Sequence, residues 1–239
     1  MFLIIPQQNT SSQNRWHILC DFDGTISLKD TTDHLLENFA LDGWQEIEQQ
    51  WEQGLIGSKQ CMQQQIALLH MNQHAFYQCL DKIEIDSGFL NLVQLASQHH
   101  IPLTIVSDGL DLVIQYVLSK YNLKHLPIIA NHLTQVNEYQ WQLEFPNTSK
   151  TCKSASGTCK CKIAQTHHQE RIILIGDGRS DFCLAETADY VFAKKSLIQH
   201  CREKHILHTP FKKITEIHQP LEKLLMSDFE LDLTAMVIA

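Results

Sequence analysis

The sequence predicts an α/β fold in which helices cover both faces of a parallel sheet. Continuous apolar runs, typical of strands buried on both sides, alternate along the chain with segments of helical spacing. Three of these runs end directly in polar, acid-containing turns, at residues 21–25, 107–109 and 176–181. Because the carboxyl ends of parallel strands meet at one edge of a sheet, where ligands bind, we expect these turns to share one crevice.

The predicted strands and helices follow one another in order. The first strand begins at Trp16, after a polar segment at 7–15. Residues 30–82 lack strand-like runs but carry apolar residues at helical spacing, which predicts several short helices in a separate lobe. Further buried strands are predicted at 101–109, 126–133, 171–178, 189–193 and 206–208. Further helices are predicted at 88–100, 110–121, 160–168, 179–187, 195–204 and 213–225.

A hairpin and an inserted domain complete the predicted architecture. Residues 132–145, with a bend at 137–139, are typical of a β-hairpin, and residues 146–159 are typical of a loop. The helical lobe interrupts a chain that otherwise alternates strands and helices. We therefore predict a Rossmann-like core domain and a helical domain inserted into it. The core comprises residues 1–27 and 88–239, and the insert comprises residues 28–87.

Composition and charge exclude several classes of protein. The chain has 239 residues, 19 Lys and Arg against 27 Asp and Glu, and a net charge of −8. This acidic balance argues against partners such as nucleic acid or an anionic membrane, because nothing offsets phosphate charge. No apolar stretch approaches the roughly 18 residues of a transmembrane helix, and residues 1–6 are too short for a signal peptide. We expect a cytoplasmic protein whose eight dispersed cysteines are reduced thiols.

The acids at the strand ends predict a metal site. Asp21 and Asp23 follow the first strand, and Asp177 and Asp181 follow the strand at 171–178. Four carboxylates in one crevice would repel one another unless a cation lay among them. Hard oxygen ligands suit Mg²⁺, which takes its remaining ligands from water and a substrate phosphate. We therefore predict a Mg²⁺ site that binds a small phosphorylated substrate.

The same acids suit phosphoryl transfer. One carboxylate can attack phosphorus and form an aspartyl-phosphate. A second carboxylate two residues further on can protonate the leaving oxygen, and can later take a proton from the water that hydrolyses the intermediate. A lysine and hydroxyl or backbone N–H donors are needed to balance the phosphoryl charge. Gly24 and Gly109 would let backbone donors approach closely.

Residues 21–25, Asp-Phe-Asp-Gly-Thr, resemble the first motif of the haloacid dehalogenase (HAD) superfamily of phosphatases. The turn at 107–109 is similar to the second motif of that superfamily, and residues 176–181 are similar to its fourth. The resemblance runs from residue 16 to residue 225, with the motifs in family order. It implies the HAD fold, with residues 28–87 as a C1 cap that closes over the crevice and sets specificity.

The resemblance also implies a role for each matching residue. Asp21 corresponds to the nucleophile and a metal ligand. Asp23 corresponds to the acid/base, and its backbone carbonyl also binds the metal. Asp177 and Asp181 correspond to the acids of the metal site in the fourth motif. Ser107 corresponds to the phosphate-binding hydroxyl. The substrate-binding residues expected in this way are Asp30, Ser107, Asp108 and Gly109.

The superfamily also requires a lysine near the start of the helix that precedes the strand at 171–178. Lys153, Lys160 and Lys162 are the candidates. Residues 159–163, Cys-Lys-Cys-Lys-Ile, resemble a stretch in two groups of subfamily IB, the 2-hydroxy-3-keto-5-methylthiopentenyl-1-phosphate phosphatases of methionine salvage and the phosphoethanolamine/phosphocholine phosphatases. In both groups the lysine after the cysteine fills the role. The resemblance implies Lys160, with Lys162 as the alternative.

The resemblance leaves more than one substrate open. Residues 190–194 and 208–211 also resemble the methionine-salvage group, which makes a ketose 1-phosphate the leading expectation. Residues 181–183 resemble the phosphocholine group, so phosphocholine or phosphoethanolamine is the alternative. Phosphoserine is third, because the cap holds no arginine for a substrate carboxylate. Outside this class, the alternative is a non-catalytic binding protein with the same fold.

The sequence leaves open the role of Asp30, the oligomeric state and the role of residues 226–239, and it gives little support for a zinc site. Asp30 can cap the helix that follows it, or face a substrate amine as an acid does at this position in related phosphoserine phosphatases; the sequence allows both. The grouping of Cys152, Cys159 and Cys161 with nearby histidines lacks the paired spacing of a zinc site, so free thiols are expected there. Neither the oligomeric state nor the role of residues 226–239 can be predicted.

Overall fold

Strand β1, Arg15–Cys20, lies at the centre of a seven-stranded sheet in a computed structural model that describes residues 15–226. The strand order is β4-β3-β2-β1-β5-β6-β7, and every neighbouring pair is parallel except β3 and β4. The other strands are β2 Leu103–Leu110, β3 Ile128–Gln135, β4 Trp141–Glu144, β5 Glu170–Gly176, β6 Tyr190–Ala193 and β7 His208–Pro210. This arrangement confirms the predicted α/β fold with a parallel sheet.

Ten helices surround the sheet within the described residues. Four of them, inserted between β1 and α5, are α1 Thr31–Phe39, α2 Trp44–Glu52, α3 Ser58–Ala67 and α4 Gln73–Leu80. The others are α5 Gly88–Gln98, α6 Asp111–Ser119, α7 Lys160–Thr166, α8 Phe182–Ala185, α9 Lys195–Glu203 and α10 at 218–226. The predicted helix at 179–187 is a 3-10 turn, Arg179–Asp181, followed by the short α8. Of the predicted terminal segments, residues 7–14 and 227–239 lie outside the described part.

Alternation of side chains along β1 explains why both faces of the sheet are covered. Ile18 and Cys20 belong to one buried apolar cluster, and Leu19 between them belongs to a second cluster on the other face. All eight residues of β2 are buried. Such strands must be covered on both sides, which is why they appear in the sequence as unbroken apolar runs.

The predicted third strand and the predicted hairpin share one continuous strand. β3 pairs in parallel with β2 on one side and antiparallel with β4 on the other. The turn after β3 is closed by Asn137, whose Oδ1 accepts from the backbone N–H groups of Tyr139 and Gln140, at 3.1 and 3.0 Å. Because β3 pairs with both neighbours, its sequence shows the apolar run of a buried strand and the pattern of a hairpin strand. This explains why the predicted strand at 126–133 overlaps the predicted hairpin at 132–145.

The inserted helices share their apolar core with the sheet. Leu35, Ile66 and Phe76 are fully buried in the same cluster as Ile18. The ring of Trp141 stacks on Phe76 at 4.7 Å, and its Nε1 donates to a backbone carbonyl at 2.9 Å. These contacts hold the insert against β4. The division into a core and a cap at residues 28 and 87 remains a prediction.

The structure corrects the expectation that every cysteine is a free thiol. Cys161 in α7 and Cys183 in α8 form a disulfide, with Cα atoms 6.3 Å apart. The two helices pack against each other, which brings the cysteines together across a separation of 22 residues. The remaining cysteines are free, namely Cys20, Cys61, Cys79, Cys152, Cys159 and Cys201.

No helix within residues 15–226 is both long enough and apolar enough to cross a membrane.

Candidate active site

The three acid-containing turns meet at the carboxyl edge of the sheet, as predicted. Cys20, the last residue of β1, pairs with Ile105 on one side and Ile175 on the other, so the residues after these positions emerge at one level. They line a cavity of about 330 Å³ that the inserted helices cover. The predicted site residues in its wall are Asp21, Asp23, Asp30, Ser107, Asp108, Gly109 and Asp177. Lys160 and Asp181 lie buried directly behind this wall.

Lys160 is the candidate lysine that reaches the acids. It is the first residue of α7 and is 3% exposed, and its Nζ lies 2.7 Å from Asp21 Oδ1 and 2.6 Å from Asp181 Oδ1. Lys162, two residues further along the helix, is exposed and donates to the backbone carbonyl of Thr148. Lys153 forms an exposed ion pair with Glu186. The geometry therefore favours Lys160 over both alternatives.

Burial and neighbouring charges shift the pKa values of Lys160 and Asp21. Burial works against the Lys160 ammonium, but Asp181 and Asp21 outweigh it and raise the pKa of Lys160 above its usual range. Burial raises the pKa of Asp21 well above its usual value, and the charge of Asp181 adds to this shift while Lys160 opposes it. A charged nucleophile at Asp21 therefore depends on positive charge beside it.

Asp23 is placed by the start of the inserted helices. Its Oδ1 accepts hydrogen bonds from the backbone N–H and the hydroxyl of Thr31, at 2.8 and 2.6 Å. Desolvation, together with the charge of Asp30, raises the pKa of Asp23 to about 7. A carboxyl group with such a pKa can both give and take a proton near neutral pH, which is what a general acid/base requires.

Asp30 caps a helix and also lies in the cavity wall. Its Oδ1 accepts from the backbone N–H groups of Thr32 and Asp33, at 2.9 and 3.0 Å, which makes it the N-cap of α1. The same residue lines the cavity. Capping uses one oxygen, so the second carboxylate oxygen is available to a ligand.

The turn at 107–109 presents a hydroxyl beside the acids. The Ser107 Oγ accepts from the Gly109 backbone N–H at 2.9 Å, which orients the oxygen. A Cβ at Gly109 would collide with Asp23 Oδ2 and press on Ser107 Oγ. A Cβ at Gly24, where φ is +70°, would collide with the contact between Asp177 and Lys195. Both glycines are therefore needed where the acids pass close to the backbone.

Asp108 is engaged by protein donors. Its carboxylate accepts from the Ser58 hydroxyl, from the Thr158 backbone N–H at 2.8 Å and from Asn131 Nδ2 at 3.2 Å. These partners come from α3, from the loop before α7 and from β3. Asp108 therefore ties the cavity wall to the inserted helices.

The donor set suits a divalent cation. One carboxylate oxygen from each of Asp21, Asp177 and Asp181 lies within 4.8 Å of the others. Asp181 Oδ2 also accepts from the backbone N–H of Asp177 at 3.0 Å, and Asp177 Oδ2 accepts from Lys195 Nζ at 2.7 Å. Hard carboxylate oxygens in excess of the neighbouring positive charge fit Mg²⁺. The carboxylate of Asp23 stands outside this group, so a metal contact from Asp23 would come from its backbone carbonyl.

Sequence reasoning missed much of the cavity wall, including Trp51, Ser58, Arg179 and Lys195. Trp51 and Ser58 come from the inserted helices, and Arg179 and Lys195 come from the core. Arg179 lies over the Trp51 ring, 5.1 Å from its centroid, and donates to the carbonyls of Trp51 and Glu52, each at 3.2 Å. Arg179 lies two residues after Asp177 within the fourth motif, and this position in the sequence could have marked it as a residue of the site. No local pattern marks the other three.

Comparisons with known proteins identify the family of this chain. Residues 17–222 match the model of a family described as "Putative Phosphatase". The chain is 29% identical over 206 residues to 2-hydroxy-3-keto-5-methylthiopentenyl-1-phosphate phosphatase of an Exiguobacterium species, an alignment that covers 84% of this chain and 94% of the relative. It is 28% identical over 213 residues to the enzyme of that name from Bacillus thuringiensis, with 87% and 96% covered.

A solved structure has the same fold. The substrate-bound structure of a phosphoserine phosphatase superposes with a TM-score of 0.67 at 17% identity, covering 86% of this chain and 97% of that one. At this identity the likeness bears on the fold alone. The match to the family model over residues 17–222 shows that this chain belongs to that phosphatase family, within the HAD superfamily, and is a hydrolase of phosphate monoesters.

Proposed function

We propose that this phosphatase depends on Mg²⁺ and acts through an aspartyl-phosphate on a small metabolite, with a methionine-salvage-type ketose 1-phosphate as the leading substrate. The observation that carries the proposal is the placement of Lys160 between Asp21 and Asp181, with Asp177 close to both acids and Asp23 two residues from Asp21. The names of the curated relatives support the choice of substrate. The alignments cover 94% and 96% of these two relatives.

In the first step, an oxygen of Asp21 attacks phosphorus and the bond from phosphorus to the ester oxygen breaks. Asp23, protonated before this step, gives its proton to the leaving oxygen. In the second step, water attacks the phosphorus of the aspartyl-phosphate while Asp23 takes a proton from it. Inorganic phosphate leaves and the Asp21 carboxylate is restored.

Charge on the transferring group must be balanced in both steps. Lys160 holds Asp21 through Oδ1, and the Ser107 hydroxyl faces the same cavity and can donate to a phosphate oxygen. When bound by Asp21, Asp177, Asp181 and the carbonyl of Asp23, Mg²⁺ would neutralise part of the phosphate charge. Lys160 pairs with Asp21 and Asp181 and holds both carboxylates in place.

We assign residues 28–87 to a cap that excludes water and selects the substrate. Helices α1–α3 supply Asp30, Thr32, Trp51 and Ser58 to the cavity wall. Closing such a wall over the acids would strengthen their electrostatic interactions by removing water.

One observation favours a second substrate class. Asp30, Asp33 and Glu48 line the cap side of the cavity beside the Trp51 ring. Carboxylates and an aromatic face are the groups that recognise an ammonium, so phosphocholine or phosphoethanolamine is the alternative. Phosphoserine is disfavoured, because its carboxylate would face these acids.

Phosphate release from a panel of monoesters tests the proposal. The panel contains a ketose 1-phosphate, phosphocholine, phosphoethanolamine, phosphoserine and an aryl phosphate, each assayed with Mg²⁺ and with a chelator. We expect metal-dependent release by the wild type and none by Asp21→Asn. Preference for the ketose phosphate would support the leading substrate, and preference for the amine esters would replace it. Equal turnover with chelator would overturn the metal requirement.

A further inference from the structure

A second group of metal-ligating side chains lies at the opposite edge of the sheet from the active site. His17 is near the start of β1, Glu170 is the first residue of β5, and His167 immediately follows α7. The strands are parallel, so their amino ends share this edge. The described hydrogen bonds of the phosphatase site do not involve these three residues.

The three side chains converge on one point. Glu170 Oε2 lies 2.7 Å from His17 Nδ1 and 2.9 Å from His167 Nδ1. The two imidazole rings meet edge to face, with centroids 4.2 Å apart. One ligand atom from each residue lies within 4.8 Å of the other two. The group joins two distant parts of the chain, because His17 lies in β1 while His167 and Glu170 lie three residues apart between α7 and β5.

We propose that His17, His167 and Glu170 bind a transition-metal ion, with Zn²⁺ as the best match. Two imidazole nitrogens and one carboxylate oxygen form a donor set typical of Zn²⁺, and they leave a fourth position for water. Hard cations such as Mg²⁺ prefer oxygen ligands throughout. Ligands about 2.0–2.1 Å from Zn²⁺ in a tetrahedral site are roughly 3.3 Å apart. The two contacts between Glu170 Oε2 and the histidine nitrogens therefore need to lengthen by about half an ångström.

The surroundings of His17 support the assignment. Its second ring nitrogen, Nε2, lies 2.9 Å from Thr104 Oγ1, and the His17 side chain is 6% exposed. A partner on the second nitrogen orients a ligating imidazole, as in many metal sites. Glu170 and His167 are 24% and 27% exposed, which leaves an approach for the ion from solvent.

The test compares His167→Gln with His168→Gln. His167 is partly exposed, so its loss is tolerable for folding, and His168 is an exposed neighbour outside the cluster. Chelator-treated protein, with the disulfide between Cys161 and Cys183 intact, is titrated with Zn²⁺ in excess Mg²⁺ to occupy the phosphatase site. Calorimetry gives the Kd and native mass spectrometry counts the bound ions. Glu170→Gln serves as a second variant.

We expect one Zn²⁺ on the wild type and on His168→Gln. Binding should weaken more than about 100-fold in His167→Gln and Glu170→Gln, because removing a ligand costs more than removing a second-shell partner. Unchanged binding by the two variants, or no binding by the wild type, would overturn the proposal and leave the group as a structural hydrogen-bond cluster. Phosphate release under Mg²⁺ is measured separately, so failure of this proposal is distinguishable from failure of the phosphatase mechanism.

Discussion

Lys160 Nζ lies 2.7 Å from Asp21 Oδ1, in a region where both side chains are almost completely buried. The same ammonium lies 2.6 Å from Asp181 Oδ1. One positive charge therefore stands between two carboxylates from the first and fourth motifs. Because removing one partner of a buried pair leaves the other charge uncompensated, this contact matters for both the stability and the chemistry of the site.

Lys160→Met should impair both activity and stability. The two carboxylates would lose their common counter-charge, and we expect an unfolding free energy lower by about 3 kcal/mol without metal. Phosphate release should fall at least about 100-fold. Urea denaturation and a phosphate-release assay measure the two effects. Lys162→Met, exposed on the same helix, is the matched control, and comparable losses in both variants would contradict the assignment of Lys160.

Asp23→Asn should make turnover depend on the leaving group. An amide cannot donate a proton to the ester oxygen as a carboxylic acid does. The variant should therefore hydrolyse alkyl phosphates about 10²–10⁴-fold more slowly than the wild type. An aryl phosphate, whose leaving oxygen needs less protonation, should lose less in the first step. Burst kinetics with the aryl ester should then show the aspartyl-phosphate accumulating. Equal losses on both esters, without a burst, would argue against Asp23 as the acid/base.

Arg179→Gln should loosen the contact between the core and the inserted helices. The guanidinium holds the carbonyls of Trp51 and Glu52 at the end of α2. We expect KM to rise several-fold while the thermal midpoint changes little, because the exposed hydrogen bonds contribute modestly to stability. Hydrogen exchange should become faster in α2. The exposed Arg202→Gln is the control, and an unchanged KM with unchanged exchange in α2 would rule out this role.

The pair formed by His132 and Asp111 should make a small part of the stability depend on pH. Their side chains lie 2.7 Å apart, with His132 50% exposed, and the hydrogen bond and charge of Asp111 raise the pKa of His132. A raised pKa in the folded state means that the stabilisation is present below the unfolded pKa of about 6.5 and is lost as pH rises through the folded pKa.

Urea denaturation of wild type and His132→Gln at several pH values measures this effect. The free energy of unfolding of the wild type should exceed that of the variant by less than about 1 kcal/mol, because the pair is exposed to solvent. This difference in unfolding free energy should be greatest below the unfolded pKa of about 6.5 and should disappear above the raised pKa of the folded state. His125→Gln, at another exposed histidine, controls for the general effect of pH. An excess that grows as pH rises would contradict the assignment.

Local sequence determined the fold class and the strand-end acids. Asp21 and Asp177 each follow an unbroken apolar run, and parallel pairing of such runs brings their carboxyl ends to one edge whatever the details of packing. Asp30 precedes an amphipathic helix, so its capping role was also predictable. Residues 132–133 show the limit of this reasoning. They were predicted in both a strand and a hairpin, because β3 pairs with β2 on one side and β4 on the other.

Only the tertiary structure decided contacts between distant segments. Lys160 and Lys162 are equivalent in local sequence, and packing of α7 turned one to the buried acids and the other to solvent. The disulfide between Cys161 and Cys183 and the convergence of His17, His167 and Glu170 arise in the same way. Local periodicity specifies an element and the face it buries, whereas these pairings depend on how elements from separate parts of the chain pack together.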